Sequence, residues 1–153
     1  IHGPKGESLN FDKTISKDIV FIAGGSGITP FMSALRYADE LNLENKFWLF
    51  FFNRTIKDII FKKDLDSLNK KGNIHVIYSL TDDVPDDWER ETGLFDKELV
   101  KRYIDKIKNK LYYICGPPPM VHSVNDLLLD MGIPKENIKW EDWQIPGKHD
   151  KKD

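Results

Sequence analysis

Residues 18–30 read Asp18-Ile19-Val20-Phe21-Ile22-Ala23-Gly24-Gly25-Ser26-Gly27-Ile28-Thr29-Pro30. The apolar run from Asp18 to Ala23 shows almost no polar alternation, which suits a strand buried on both faces of a parallel sheet. The glycines then allow a sharp turn. Thr29 is suited to cap a helix, and Pro30 fits its first turn, where a missing N–H costs nothing. Phe31, Ala34, Leu35, Ala38 and Leu41 follow on one helical face. A glycine turn that opens a helix N-terminus offers exposed N–H groups and partial positive charge, the chemistry that holds a phosphate. The spacing is neither G-x-G-x-x-G nor a P-loop, since no lysine follows. By itself the turn reads equally well as a tight strand-to-helix connection.

Working outward, the same grammar repeats. A second strand runs from Phe47 to Phe52 and leaves through Asn53-Arg54-Thr55. Asp58 is placed to cap a helix reaching about Lys71, with Phe61, Leu65 and Leu68 inward, and Gly72 ends it. Ile74 to Leu80 forms a third strand. Thr81 to Phe95 is a long acidic loop around Trp88, and its carboxylates Asp82, Asp83, Asp86, Asp87, Glu89 and Glu91 read as solvated. Asp96 caps a helix whose Leu99, Val100, Tyr103, Ile104 and Ile107 face inward. A fourth strand, Leu111 to Cys115, ends in Gly116-Pro117-Pro118-Pro119-Met120, a corner no sheet ladder can cross because proline donates no hydrogen bond. Val121, Val124, Leu128 and Met131 then mark a helix stopped by Gly132 and Pro134, and Ile138 to Glu141 is a short fifth strand. Strands alternating with helices predict an α/β fold: a doubly wound, open, parallel five-stranded sheet in the order 3-2-1-4-5, flanked by helices. In that order the glycine turn and the proline corner both end neighbouring strands and line one crevice.

Composition narrows the function. The chain has 153 residues, with 23 Lys and Arg against 25 Asp and Glu, a formal charge of −2. Near-neutrality gives no support to a nucleic-acid partner. A single cysteine, Cys115, excludes an internal disulfide framework, a cysteine zinc site and an iron–sulfur cluster. His2, His75, His122 and His149 have no ligand spacing, so no metal site is expected. The longest apolar run, Phe47 to Phe52, is far short of a membrane span, and no signal peptide pattern is present.

Two segments taken together carry a resemblance. Ala23 to Pro30 resembles the A-G-G-[ST]-G-I-T-P turn, and Cys115 to Met120 the C-G-P-P-x-M turn, of the nicotinamide-nucleotide domain of the ferredoxin–NADP reductase superfamily, which includes the cytochrome b5 reductases. Asn53-Arg54-Thr55 with Asp58-Ile59-Ile60 is similar to the family's second-strand exit. Ile138 to Glu141 followed by Trp143 is similar to its closing segment. His2-Gly3-Pro4-Lys5-Gly6 resembles the G-P-x-G that closes the flavin barrel before this domain. The implied organisation is the end of a flavin-binding domain at residues 1–8, a pyridine-nucleotide-binding domain at 9–145 and a charged tail at 146–153. The family's flavin motif, Arg-x-Tyr-Ser, is absent from the sequence.

The resemblance implies an NAD(P)H-binding module of a flavin-dependent reductase. NADPH or NADH would lay its pyrophosphate along Gly25 to Ile28, within a binding set of Gly24, Gly25, Ser26, Gly27, Ile28, Thr29, Pro30, Asn53, Arg54, Cys115, Gly116, Pro117, Pro118 and Met120. Its nicotinamide would lie between Thr29 and Cys115, facing the FAD of a domain outside this chain. Thr29, Cys115 and Glu141 form the expected catalytic set, with Cys115 orienting the ring. Electrons would pass on to an acceptor protein or heme. Arg54, with no acid before Asp58, favours the 2′-phosphate of NADPH. The expected location is cytoplasmic, or the cytoplasmic side of a membrane if a further domain tethers the chain. The alternative reading is a non-catalytic nucleotide-binding or scaffold module of the same fold.

Overall fold

Unbroken apolar strands are stable only where both sheet faces are covered, and the computed structural model, which describes residues 16–142, covers them. Strands β1 (Ile19–Gly24) and β2 (Phe47–Asn53) are buried at every position. With β3 (Ile74–Leu80), β4 (Glu91–Thr92), β5 (Leu111–Gly116) and β6 (Ile138–Asp142) they form one sheet in the order β4-β3-β2-β1-β5-β6. All of its pairings are parallel. The expected order holds through the five long strands. The correction is β4, a sixth strand formed by two residues of the acidic loop. Glu91 and Thr92 pair with Ser79 and Leu80. Ser79 Oγ donates to the Gly93 carbonyl at 2.7 Å, and Trp88 Nε1 to that of Glu91 at 2.9 Å. Two residues are too few to show a period, so the sequence could not reveal this strand.

Four helices cover the sheet: α1 (Ile28–Glu40), α2 (Lys62–Asn69), α3 (Lys97–Tyr103) and α4 (Pro118–Asp130). Phe31 and Leu35 of α1 and Leu65 of α2 pack with Phe21, Phe51 and Cys115 on one face. Val100 of α3 and Val121 and Leu128 of α4 pack with Ile22, Phe50 and Ile114 on the other. Burying a large apolar side chain contributes roughly 1.5–3 kcal/mol, so these two layers hold the helices in place. Phe31 stacks on Phe21 at 4.7 Å between ring centroids, which fixes α1 against β1 just past the glycine turn.

Helix boundaries differ from the expected ones at two functional corners. A 3-10 turn spans Gly25–Gly27, and α1 starts at Ile28 with Gly27 as its N-cap. Thr29 is therefore inside the helix, and no side chain caps it. Asp58 does not open α2. It closes a capping box with Thr55, accepting from Thr55 N at 3.2 Å and Thr55 Oγ1 at 3.1 Å. The helix waits until Lys62, after Phe61 has turned the chain at φ 61°. Leu41 and Tyr103, expected inward, are exposed. The expected flavin-domain remnant, the tail and Trp143 lie outside the described residues. Among the described residues, no helix is long and apolar enough to cross a membrane.

The glycine turn and the proline corner touch. A methyl added at Gly27 would overlap the Cys115 carbonyl oxygen and lie 2.7 Å from its carbon. One added at Gly116 would lie 3.2 Å from Gly24 N and 3.1 Å from Met120 Sδ, and one at Gly24 would overlap the same sulfur. Gly27 therefore meets backbone, which cannot yield, whereas Gly24 meets the end of a flexible side chain. Gly27→Ala should destabilise the protein by about 1–3 kcal/mol in chemical denaturation, as overpacked interiors do. Gly24→Ala should cost less, because Met120 can move. Cys115 is 1 % exposed. A thiol reagent such as Ellman's reagent should therefore leave the native chain unlabelled and react once it is unfolded.

Candidate functional site

The contact between the corners leaves a cleft of about 1040 Å³ at the carboxyl ends of the strands. Gly24, Gly25 and Ser26 form one wall and Pro117 to Met120 another, while Asn53 and Arg54 enter from the end of β2. Ile60, Leu94, Phe95 and Val124 add apolar surface. The fold thus brings three separate segments to one place, as ligand crevices of open α/β sheets require.

The glycines divide their labour. Gly24, Gly27 and Gly116 are consumed by the contact between corners. Gly25 alone of the turn has a positive φ, +56°, with nothing within 4 Å of the position a Cβ would take. Its backbone faces open cleft just before α1. The N-terminus of that 13-residue helix has no side-chain cap, so its first N–H groups and their partial positive charge suit an anion. A dinucleotide pyrophosphate has the charge and the size for this corner, and the residues present fit it.

Arg54 is not the free cation the sequence suggested. Its Nε donates to Asp82 Oδ2 at 2.8 Å, and its own carbonyl accepts from Asp82 N at 3.1 Å and Asp83 N at 3.0 Å. The hydrogen bond and charge of Arg54 hold the Asp82 carboxyl below the usual carboxylate range, and Asp82 raises the guanidinium in return. Both side chains are well exposed, 79 % and 46 %, so the pair adds little to stability. Its effect is on the charge a ligand meets at the rim.

The expected catalytic set lies outside the cleft lining. Cys115 is in register with Ala23 of β1 on one side and Glu141 of β6 on the other, so the thiol and the carboxylate belong to one row of the sheet. The thiol is buried in the core beneath α1. Glu141 is half-buried and Thr29 exposed, two residues beyond the glycine that rests on the Cys115 carbonyl. Of the expected binding set, Ile28 is wholly buried and can offer only backbone, while Met120 and Pro118 line the cleft. Sequence reasoning missed Ile60, Thr81, Leu94, Phe95, Ser123 and Val124. Ser123 and Val124 follow from the helix after the proline corner and Ile60 from the segment after the second strand, but no local signal marks Thr81, Leu94 or Phe95. Among the described residues, no group of three or more His, Cys, Asp or Glu is arranged to hold a metal ion.

Comparison with known proteins agrees with this geometry. The family model of the oxidoreductase NAD-binding domain matches residues 21–126. The chain is 32% identical over 149 residues to one component of the Na(+)-translocating NADH-quinone reductase of Psychrobacter cryohalolentis, covering 94% of this chain and 36% of that protein. It is 32% identical over 138 residues to NADH-cytochrome b5 reductase 1 of Mortierella alpina, covering 88% and 46%. The chain thus spans less than half the length of these relatives. Among solved structures, the CS-b5R domains of human Ncb5or in the NAD+ form superpose with a TM-score of 0.74 and 29% identity, covering 86% of this chain and 39% of that one. The cytochrome b5 reductase domain of Ulva prolifera nitrate reductase superposes with a TM-score of 0.72 and 26% identity, covering 82% and 48%. With the family model and the relatives matching most of its length, the chain belongs to the oxidoreductase NAD-binding domain family, within the ferredoxin–NADP reductase and cytochrome b5 reductase superfamily.

Proposed function

We propose that this domain holds NADH and presents its nicotinamide to an FAD carried by a neighbouring domain of the full-length reductase. The observation that carries the reading is the uncapped N-terminus of α1, opening beside Gly25 into a cleft that also receives the end of β2. When bound, the nicotinamide would supply the hydride that a flavin accepts. This chain's own part is alignment. The backbone from Gly25 to Ile28 holds the pyrophosphate, and the apolar walls exclude water. Thr29, Cys115 and Glu141 frame the nicotinamide side of the corner, Cys115 by packing rather than as a nucleophile. Residues 9–145 make up the nucleotide domain, with residues 1–8 closing the flavin domain and 146–153 a charged tail. The electron acceptor is a protein or heme, and the place of action is the cytoplasmic side of the cell, in solution or at a membrane held by another domain. The names of the relatives, a component of an NADH-quinone reductase and a cytochrome b5 reductase, support this class of reaction.

NADH is favoured over NADPH by the Arg54–Asp82 pair. A 2′-phosphate would have to displace Asp82 from Arg54 or lie against its negative charge, whereas a hydroxyl meets neither demand. In calorimetric titration NADH should bind at least about tenfold more tightly than NADPH, a difference of about 1.4 kcal/mol. Asp82→Asn should narrow that ratio several-fold by releasing Arg54, and an unchanged ratio would refute the assignment. The chain alone should show no NADH-dependent ferricyanide reduction, and rejoining it to its flavin domain should restore it. Activity of the chain without any flavin would contradict the division of labour.

A further inference from the structure

The turn between α3 and β5 is held from below by three buried polar side chains. Tyr112 Oη donates to the Ile107 carbonyl at 2.6 Å, Asn137 Nδ2 to the Lys108 carbonyl at 3.3 Å, and Lys110 Nζ to the Lys106 carbonyl at 3.4 Å. The three donors are 0 %, 6 % and 5 % exposed. Lys106 bends the chain into the left-handed region, at φ 48°. With its carbonyls bound from inside, the turn shows side chains to solvent, and what it shows is basic. Lys101, Lys106, Ile107, Lys108 and Asn109 line a groove of about 490 Å³, with no carboxylate among them. Nearby Lys97 and Arg102 are neutralised by Asp130 and Glu91. Lys101, Lys106 and Lys108 are exposed and have no ion pair among the described residues, and exposed Asp105 offsets one of their charges. Lys110 adds a buried cation behind them, while the whole chain carries −2. Lys101 complements the C-terminus of α3, but Lys106 and Lys108 lie beyond that helix, so its dipole does not account for them.

We propose that this turn is a contact site for an anionic phospholipid surface, with Lys101, Lys106 and Lys108 reaching headgroup phosphates. The proposal is independent of the nucleotide reading. Ile107 is half-buried and gives an apolar spot between two unpaired ammonium groups. At a lipid–water boundary lysine stems lie along apolar material while their charged ends reach outward, and each lysine near an anionic leaflet adds to the attraction. The groove has no arginine fork to fix a carboxylate pattern on a protein partner. Its point charges on flexible stems suit a fluid array of headgroups better. The turn precedes the amino end of β5, and the cleft lies at the carboxyl end of that strand, about 17 Å away. A membrane held at the turn therefore leaves the cleft open.

The test is co-sedimentation of the 153-residue chain with vesicles of phosphatidylcholine alone and of phosphatidylcholine mixed with phosphatidylserine. The native chain should bind the mixed vesicles and not the neutral ones, and should be released as salt rises from about 0.05 to 0.5 M. The double variant Lys106→Gln, Lys108→Gln should bind the mixed vesicles about twentyfold more weakly, roughly fivefold for each charge removed. Lys63→Gln, an exposed lysine on α2, should bind as the native chain does. Melting temperatures of both variants should match the native chain, which separates loss of the contact from loss of the fold. Failure of the native chain to bind the mixed vesicles overturns the proposal, as does equal binding to neutral ones. A double variant that binds as tightly as the native chain also overturns it. So does tighter binding of poly-glutamate than of the mixed vesicles, which would make the turn a site for an acidic protein.

Discussion

The site exists because two backbone corners press directly on one another. The Gly27 Cα rests on the Cys115 carbonyl, and Gly24 and Gly116 meet across Met120. A Cβ at Gly27 would meet fixed backbone, so the close approach of β1 and β5 at their carboxyl ends sets where α1 begins. That start, in turn, decides which N–H groups face the cleft. The core acts at one remove: by stacking Phe31 on Phe21 it holds the helix in the direction the corners dictate. Packing and anion binding are thus properties of one piece of backbone, with Gly25 the residue left over for the ligand.

A second constraint comes from the acidic loop. Its backbone is bound to the end of β2 through the Arg54 carbonyl, and its β4 residues are laced to β3. The loop is therefore part of the sheet edge. Asp82 stands beside Arg54 because the chain is fixed there, and the rim of the cleft presents a neutralised pair where an isolated cation would invite a phosphate. Nucleotide choice in this reading is decided by a loop whose composition alone looks like solvated surface.

The long-range frame was legible because each major strand is a contiguous apolar run ended by glycine or proline. Those signals are local, and they were enough for the order of the five long strands and the meeting of the corners. What escaped was short or non-local. β4 has two residues and no period. Asp82 is 28 residues from Arg54 and shows its partner only when β2 and β3 lie side by side. Asp58 is a good cap in either of two places, and the capping box with Thr55 prevailed over the start of α2. Of the site, the backbone elements were readable from motif, whereas the apolar walls at Leu94 and Phe95 depend on where a loop comes to rest. Cys115 stands at the corner its motif marks, with its side chain packed in the core, a placement the motif alone does not show.

Met120 has its sulfur packed against two glycines, Gly24 and Gly116. Conversion to the sulfoxide would place a polar oxygen at the contact between the two corners. The joint between the two corners therefore carries an oxidisable atom. Repair by a methionine sulfoxide reductase would restore the geometry without resynthesis of the chain.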